Sequence, residues 1–505
     1  MLVFNLWLNR HFYHDDSFIS LRYALNFVNF GDLSWNVGDK VEGYTNFLHL
    51  VLTSALLSLG IEPVPATRIV NAAGAVILTI AVYRGARRLL PSPAFGTWRA
   101  LTVFAVLSSV TVAVWILGGL ETILASGFLA CGIVAVLPLL LPDEHREDVP
   151  ISAAVWSGVF FALAYLTRPD SVVINFVAGM TVLIFGISPF RQRIIQLFLI
   201  GGIPMTILAI HTIWRLSYYG DVLPNTFAAK TGIDLETRLV GIERYLRNSA
   251  ILFLPALSVG IGALVLLVFK PKVLANVWRV AFLLIAAILA HTAYVVWSGG
   301  DHMPAARVMA GTLGPAALLL AVGLSACPAV LRWPVLVGAM AALCFGTFYI
   351  NPFKMNPAAY VGLVVGEHIQ KDWPAGSVVA LNTAGSTPFM APNNVYIDML
   401  GLNDREIAKR ENTPVRTERQ KMAGHSAGDG RAVLRREPDF IILGPAEGRP
   451  ASDPWFLSDL EIAESPEFAE CYIEETRQLP YNMAPSAEIP WIDNPLTFTY
   501  YRRTC

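Results

Sequence analysis

From residue 67 to residue 351 the chain alternates long apolar windows with short polar joints. A bilayer core about 30 Å thick takes about 20 mostly apolar residues per helix. Windows of that kind fall at 67–87, 98–118, 120–141, 151–168, 170–188, 195–214, 249–269, 277–298, 305–325 and 331–351, which predicts ten spans. The shorter stretch 46–60 (NFLHLVLTSALLSLG) reads as an amphipathic helix lying along the membrane surface, because counting it as a span would reverse every later assignment. After Pro352 the pattern changes to strand-like runs (SVVALN, NVYIDML, DFIILGP) between charged, helix-compatible stretches. The expected fold is a polytopic α-helical membrane protein of about 10–11 transmembrane helices, with a membrane domain at 1–351 and a soluble α/β domain at 352–505.

Composition agrees with this pattern. The 505 residues are 54% hydrophobic and 15% charged, against about 25% charged in an ordinary soluble domain. A net charge of −1 argues against nucleic acid as a partner, since a phosphate-binding surface needs clustered Lys and Arg. The opening MLVFNLWLNR lacks a basic n-region and a small-residue cleavage site, so no cleavable signal peptide is expected. The residues before Asp15 are also too few for a complete first span.

Lys and Arg in short loops mark the cytoplasmic side. Arg84, Arg87, Arg88 and Arg99, then Arg146, Arg191 with Arg193, Lys270 with Lys272 and Arg279, and Arg332 fall in alternate joints. The opposite joints then face outward, together with a first outer loop at 9–66 and the C-terminal domain. Cys131, Cys327 and Cys344 lie in apolar runs and read as small hydrophobes. Cys471 and Cys505 lie in the polar region, where a disulfide and two free thiols are both open readings.

The polar residues of the membrane part collect in the outward joints. Asp15 and Asp16 follow the short apolar start, with Arg22 six residues beyond Asp16. Adjacent carboxylates raise each other's proton affinity and suit a general base, while the plainer reading is that they cap the helix that follows. VEGYTNF supplies Glu42, Tyr44 and Asn46. Glu121 in GGLET either serves a substrate or complements a helix dipole. Arg168 in LTRPD is a candidate phosphate ligand, since the guanidinium grips phosphate through two donors. YYGDVLPNTFAAK brings Tyr219, Asn225 and Lys230, with the tyrosines equally at home in an interfacial aromatic belt. GGDHMPAAR brings Asp301, His302 and Arg307. Two potential ligands do not make a metal site, so no metal ligands are assigned and a possible divalent cation is left open.

Taken in order, the DD-x-x-x-x-x-R cluster (Asp15, Asp16, Arg22), VEGYTNF, LTRPD, YYGDVLPNTFAAK, the GGD-x-M loop and DMLGLND (398–404) resemble the GT-C superfamily across nearly the whole chain. Within it they most resemble the bacterial arabinofuranosyltransferases that add terminal arabinofuranose to cell-envelope arabinan. The resemblance implies transfer of arabinofuranose or a related pentose from a polyprenyl-phosphate donor to an envelope glycan or lipid, at the periplasmic face of the bacterial inner membrane. It implies Asp15 and Asp16 at the catalytic centre, one of them as base. Arg22, Arg168, Lys230 and Arg307 become candidates for the donor phosphate. Glu42, Tyr44, Asn46, Glu121, Tyr219, Asn225, Asp301 and His302 become candidates for substrate contacts. Asn403 and Asp404 would either help bind the acceptor or cap a helix. A transporter or flippase of a lipid-linked glycan is the alternative, but such proteins show repeated halves and midplane charges, and no repeat is visible. A non-catalytic assembly protein would have a dispensable acidic pair.

Overall fold

A computed structural model describes residues 1–142, 150–230, 271–301, 303–328, 356–411, 413–421, 424–481 and 494–505, with scattered positions in 239–250 and 330–347. The first part is helical. A short α1 (Leu2–Leu8) is followed by α2 (Asp15–Phe30), α3 (Phe47–Ser58) and the long α4 (Pro63–Leu89). Then come α5 (Gly96–Ser108), α6 (Val110–Leu117), α7 (Thr122–Leu140), α8 (Ile151–Thr167), α9 (Val172–Phe185) and α10 (Phe190–Tyr219). After α11 (Asn225–Lys230), α12 (Pro271–Ser298) and α13 (Leu313–Ala326) complete the described bundle.

Five of these described helices are long and apolar enough to cross a membrane, or six when the bent pair α5 and α6 is taken as one. α8 and the segment Pro169–Phe185 are apolar but shorter. The span expected at 249–269 falls almost wholly, and the one expected at 331–351 mostly, outside the described residues. The span expected at 98–118 is bent by 52°. Ser109 is extended (φ −61, ψ 127) and breaks the hydrogen-bond ladder, and the Ser108 carbonyl accepts instead from Asn5 Nδ2 of α1 at 3.1 Å. The short apolar start thus braces the break.

Leu78, Trp115, Leu129, Val280 and Leu318 belong to one buried cluster shared by α4, α6, α7, α12 and α13. α4 and α7 approach closely because a side chain on Gly74 would meet the Leu124 backbone at 2.5 Å, and one on Gly127 would meet the Gly74 carbonyl at 2.7 Å. Small residues permit such backbone contact where water provides no driving force between helices.

In the C-terminal part, α14 (Pro357–Asp372) starts with Pro at its first turn and the Asn356 side chain accepting from Ala359 N–H at 3.3 Å. It ends before Trp373-Pro374, as the residue preceding a proline is driven out of the helical region. The strands β1 (Val378–Leu381), β2 (Val395–Asp398), β3 (Phe440–Ile442), β4 (Tyr472–Leu479) and β5 (Leu496–Arg503) form one sheet ordered β2-β1-β3-β5-β4. The first three pair in parallel and coincide with the three strand-like runs of the sequence, while β5 runs antiparallel to β3 and β4. The expected boundary at 351/352 lies outside the described residues. A single hydrophobic cluster joins Ile19, Tyr23, Trp35 and Tyr44 to Val365, Trp373, Leu381, Phe440 and Phe498. The first loop and the sheet region therefore fold against each other.

Cys471 and Cys505 are joined in a disulfide across 34 residues. Proteolysis without reductant should leave the two cysteine-bearing peptides linked, and Cys505→Ser should lower stability by about 2–4 kcal/mol through loss of loop closure. Recovery of two separate thiol peptides from oxidised protein would contradict the pairing.

Candidate functional site

Asp15 and Asp16 open α2, and the residue that caps the helix is His14, whose Nδ1 accepts from Asp16 N–H at 3.2 Å. An accepting Nδ1 carries no proton, so the 3.8 Å approach of the Asp16 carboxylate to it is not an ion pair in this arrangement. The helix start is seated on the GGLET turn: His14 N–H and Ser17 Oγ both donate to the Gly118 carbonyl, at 3.2 and 2.7 Å. Gly119 has φ +86, and a side chain there would strike the Tyr13 ring at 2.5 Å. Only glycine combines that conformation with that proximity.

The two aspartates face different surroundings. Asp15 is buried, its Oδ1 accepting from Ser386 N–H at 2.9 Å and from Ser386 Oγ at 2.6 Å. Ser386 begins α15 (Ser386–Met390), a short helix of the C-terminal region. Burial pushes the Asp15 carboxyl up to about 6, the Ser386 hydrogen bonds oppose the rise, and the neighbouring Asp16 charge adds to it. Asp16 keeps about a third of its side chain open (32%).

Across the GGLET turn lies a chain of polar contacts. Ser20 of α2 exchanges hydrogen bonds with the Asn46 amide, and Asn46 Nδ2 donates to Glu121 Oε2 at 3.2 Å. Pro169 forces Arg168 into an extended conformation (φ −149, ψ 117). Its guanidinium then spans Glu121 at 3.0 Å and both oxygens of Asp170 at 3.1 and 2.9 Å. Arg307 donates through Nε to Asp301 at 3.0 Å. Among the described residues its terminal nitrogens make no hydrogen bond, whereas Arg168 uses all three of its nitrogens.

Arg168, Asp170, Arg307, His291 and Thr122 line one small cleft. Among the described residues, Thr122 Oγ1 and His291 Nδ1 are buried there without a hydrogen-bond partner, although buried polar atoms are satisfied in the great majority of cases. The Trp115 ring connects this cleft to the acidic pair: the Arg307 guanidinium lies 5.8 Å from its centroid and the His14 ring 6.1 Å. Among the described residues no three His, Cys, Asp or Glu side chains gather to hold an ion.

The remaining candidates lie at the joint with the C-terminal region. Arg22 is buried and donates to the carbonyls of Trp35, Pro388 and Asn394, with its guanidinium over Trp35 and Tyr396. Glu42 pairs with Arg215, and burial pushes its carboxyl up to about 7 against the pull of that arginine. The Tyr44 and Tyr219 hydroxyls meet at 3.0 Å. Asn225 Nδ2 donates to the Gly401, Leu402 and Asp404 carbonyls, which knits YYGDVLPN to DMLGLND. Asp404 caps the turn Arg405–Ala408 and pairs with Arg436, while Asn403 donates to Asp398 and accepts from Tyr23. His302 and the side chain of Lys230 lie outside the described residues.

His14, Trp115, His291 and Ser386 escaped sequence reasoning. His14 borders the acidic pair and was visible as such. Trp115 and His291 sit within apolar runs, and Ser386 is 371 residues from Asp15, so only folding brings them in.

Residues 355–486 match a family described as a domain of unknown function, DUF8728. The chain is 26% identical over 338 residues to the terminal beta-(1->2)-arabinofuranosyltransferase of Corynebacterium glutamicum, a match that covers 60% of this chain and 47% of that relative. The chain thus spans about half the length of the curated relative it matches. The crystal structure of ArnT from Cupriavidus metallidurans bound to undecaprenyl phosphate superposes with a TM-score of 0.50 at 12% identity, over 78% of this chain and 83% of that one. The chain has the fold of the GT-C membrane glycosyltransferases.

The Asp15–Ser386 joint carries a pH signature. Because the folded state holds the Asp15 proton to about pH 6, its contribution to stability is full below about pH 4, its ordinary value, and is lost as pH rises through 6. Asp398 and Asp459 are pushed to about 6 as well, so the Asp15 share is the difference between parent and Asp15→Asn. The variant should show the smaller fall in thermal stability between pH 4 and 7, and equal slopes would contradict a raised Asp15.

Proposed function

We propose that the chain is a glycosyltransferase working at the non-cytoplasmic face of the bacterial inner membrane. It transfers arabinofuranose or a related pentose from a polyprenyl-phosphate carrier to a hydroxyl of an envelope glycan or lipid. The observation that carries this reading is the Trp115 ring, which lies between His14, the neighbour of the partly open Asp16 carboxylate, and the Arg307 guanidinium, whose terminal nitrogens are unused among the described residues. A transferase of this kind needs both groups at one level: a base for the acceptor and a cation for the leaving phosphate.

In this reading Asp16 takes the proton of the acceptor hydroxyl. The acceptor oxygen gains the bond to the anomeric carbon, and the carrier phosphate oxygen gives up that carbon and keeps the bonding pair. Asp15 is a positioning residue, since its buried carboxyl is already occupied by Ser386 and it fixes where its neighbour stands. Charge growing on the phosphate falls to the terminal nitrogens of Arg307, with Arg168 holding the Glu121 and Asp170 side of the cleft. Donors set in place for charge that develops during reaction are usually the largest single contribution to rate. Thr122 Oγ1 and His291 Nδ1 remain for hydroxyls of the bound donor.

Glu42, Tyr44, Tyr219, Asn225 and Arg22 would then act on substrate indirectly, by fixing the C-terminal region over the first loop. The proposed division is a membrane part to residue 351 and an extracytoplasmic α/β part from 352. The Cys471–Cys505 bond supports placing the latter outside the cytoplasm, where disulfides persist.

Asp16→Asn should lower sugar transfer in membranes by about 100-fold or more, the usual worth of a general base, while expression and thermal stability stay near the parent. Arg307→Ala should weaken both transfer and retention of the polyprenyl phosphate product. Parental transfer rates in Asp16→Asn and Asp15→Asn alike would sink the assignment of the acidic pair.

A further inference from the structure

We propose that the protein also holds a structural lipid: a diacyl anionic phospholipid in the cavity between α4, α7 and α8, at the other end of the bundle from Asp16. The cavity measures about 940 Å³, within the roughly 300–1,000 Å³ usual for ligand sites. Its place follows from α4. Near the start of that helix Thr67 bonds the Tyr13 hydroxyl at 3.1 Å, beside the acidic pair. Arg87 stands 20 residues further along the same helix, about 30 Å away at 1.5 Å per residue. That separation is the thickness of a bilayer core, so this cavity opens on the opposite leaflet from the proposed active site.

Its chemistry is two-sided. Arg84 and Arg87 line the rim, one helical turn apart and both exposed. Among the described residues neither has a hydrogen-bond or ion-pair partner. Residues three apart share a helix face, so the two guanidiniums can take one phosphate together. Behind them the walls are apolar: Ile80 from α4, Val134 from α7, and Trp156 with Phe160 from α8, whose rings lie 5.9 Å apart. Trp156 and Ile80 remain exposed, which in a bilayer places them against acyl chains.

A free phosphate would have no use for those walls, and a neutral lipid would, among the described residues, leave Arg84 and Arg87 without a counter-charge. A phospholipid with a net negative headgroup satisfies both parts at once. Seated there it would fill the wedge between α7 and α8, helices that carry Glu121 and Arg168 at their opposite ends. The inference rests on the membrane reading alone and not on the proposed transferase activity.

The test uses the full-length protein purified in mild detergent and presented with equal amounts of phosphatidylglycerol and phosphatidylcholine, with bound lipid counted by native mass spectrometry. Phosphatidylglycerol should be retained in preference, and Arg84→Ala combined with Arg87→Ala should reduce its retention by about tenfold or more. Arg84→Lys combined with Arg87→Lys should keep most of it. A control that removes two positive charges elsewhere, Arg191→Ala with Arg279→Ala, should retain lipid like the parent. Equal retention of the two lipids would overturn the proposal. So would an equal loss in the control, which would mean diffuse surface charge, or full displacement by millimolar inorganic phosphate, which would mean an anion site without a lipid. The arginines are exposed, so the variants should fold, and a monodisperse size-exclusion profile with unchanged thermal stability verifies it.

Discussion

A guanidinium at the end of an apolar bundle has to be balanced, because a buried charge without a partner is penalised by several kcal/mol. Arg168 meets that demand by bridging Glu121 and Asp170, and much of the candidate site follows from it. The bridge ties the start of α7 to the turn between α8 and α9. Through Asn46 it reaches Ser20 of α2, so the helix that begins with the acidic pair is held against the bundle. Removing Arg168 would leave two carboxylates exposed to each other, a larger disturbance than the loss of one phosphate contact. Arg307 is paired less completely: among the described residues only its Nε is bonded, and in the proposed reading that leaves it to meet the charge on a leaving group.

The second constraint is the joint between the first loop and the sheet region. Buried aromatics from both sides form one cluster, and the polar groups inside it pair across the joint: Asp15 with Ser386, Arg22 with the Pro388 and Asn394 carbonyls, Asn225 with the Gly401 and Leu402 carbonyls. Such contacts are directional, so they fix orientation as well as proximity. In the proposed reading, a carboxylate that has to stand at a set distance from a lipid-borne phosphate gains from being locked on two faces. The bundle holds the helix start through Gly118, and the C-terminal region holds Asp15.

The two aspartates illustrate how adjacency in sequence becomes difference in environment. Successive helical positions point about 100° apart. One neighbour is therefore turned into the joint and loses water, while the other stays partly open beside His14. Burial of the first raises its proton affinity and leaves the second as the accessible carboxylate.

Much of this protein could be read from its residue order. Apolar windows of bilayer length and the change of period after Pro352 depend only on local composition, so the helical bundle, the short helix at 47–58 and the first three strands were all legible. The clustering of Asp, Glu and Arg in alternate joints was legible too, because charges concentrate where chains leave an apolar medium, and the fold brings Glu121, Arg168 and Asn46 from three of those joints together. The break at Ser109 was hidden, since it depends on Asn5 taking up the freed carbonyl from a distant helix. So was the division of labour among the polar candidates. Arg22 and Arg307 look alike in sequence, yet one is consumed by backbone carbonyls at the joint while the other, among the described residues, bonds through Nε alone at the cleft. Which donors are spent is decided by partners hundreds of residues away, and only the folded chain brings those within hydrogen-bonding distance.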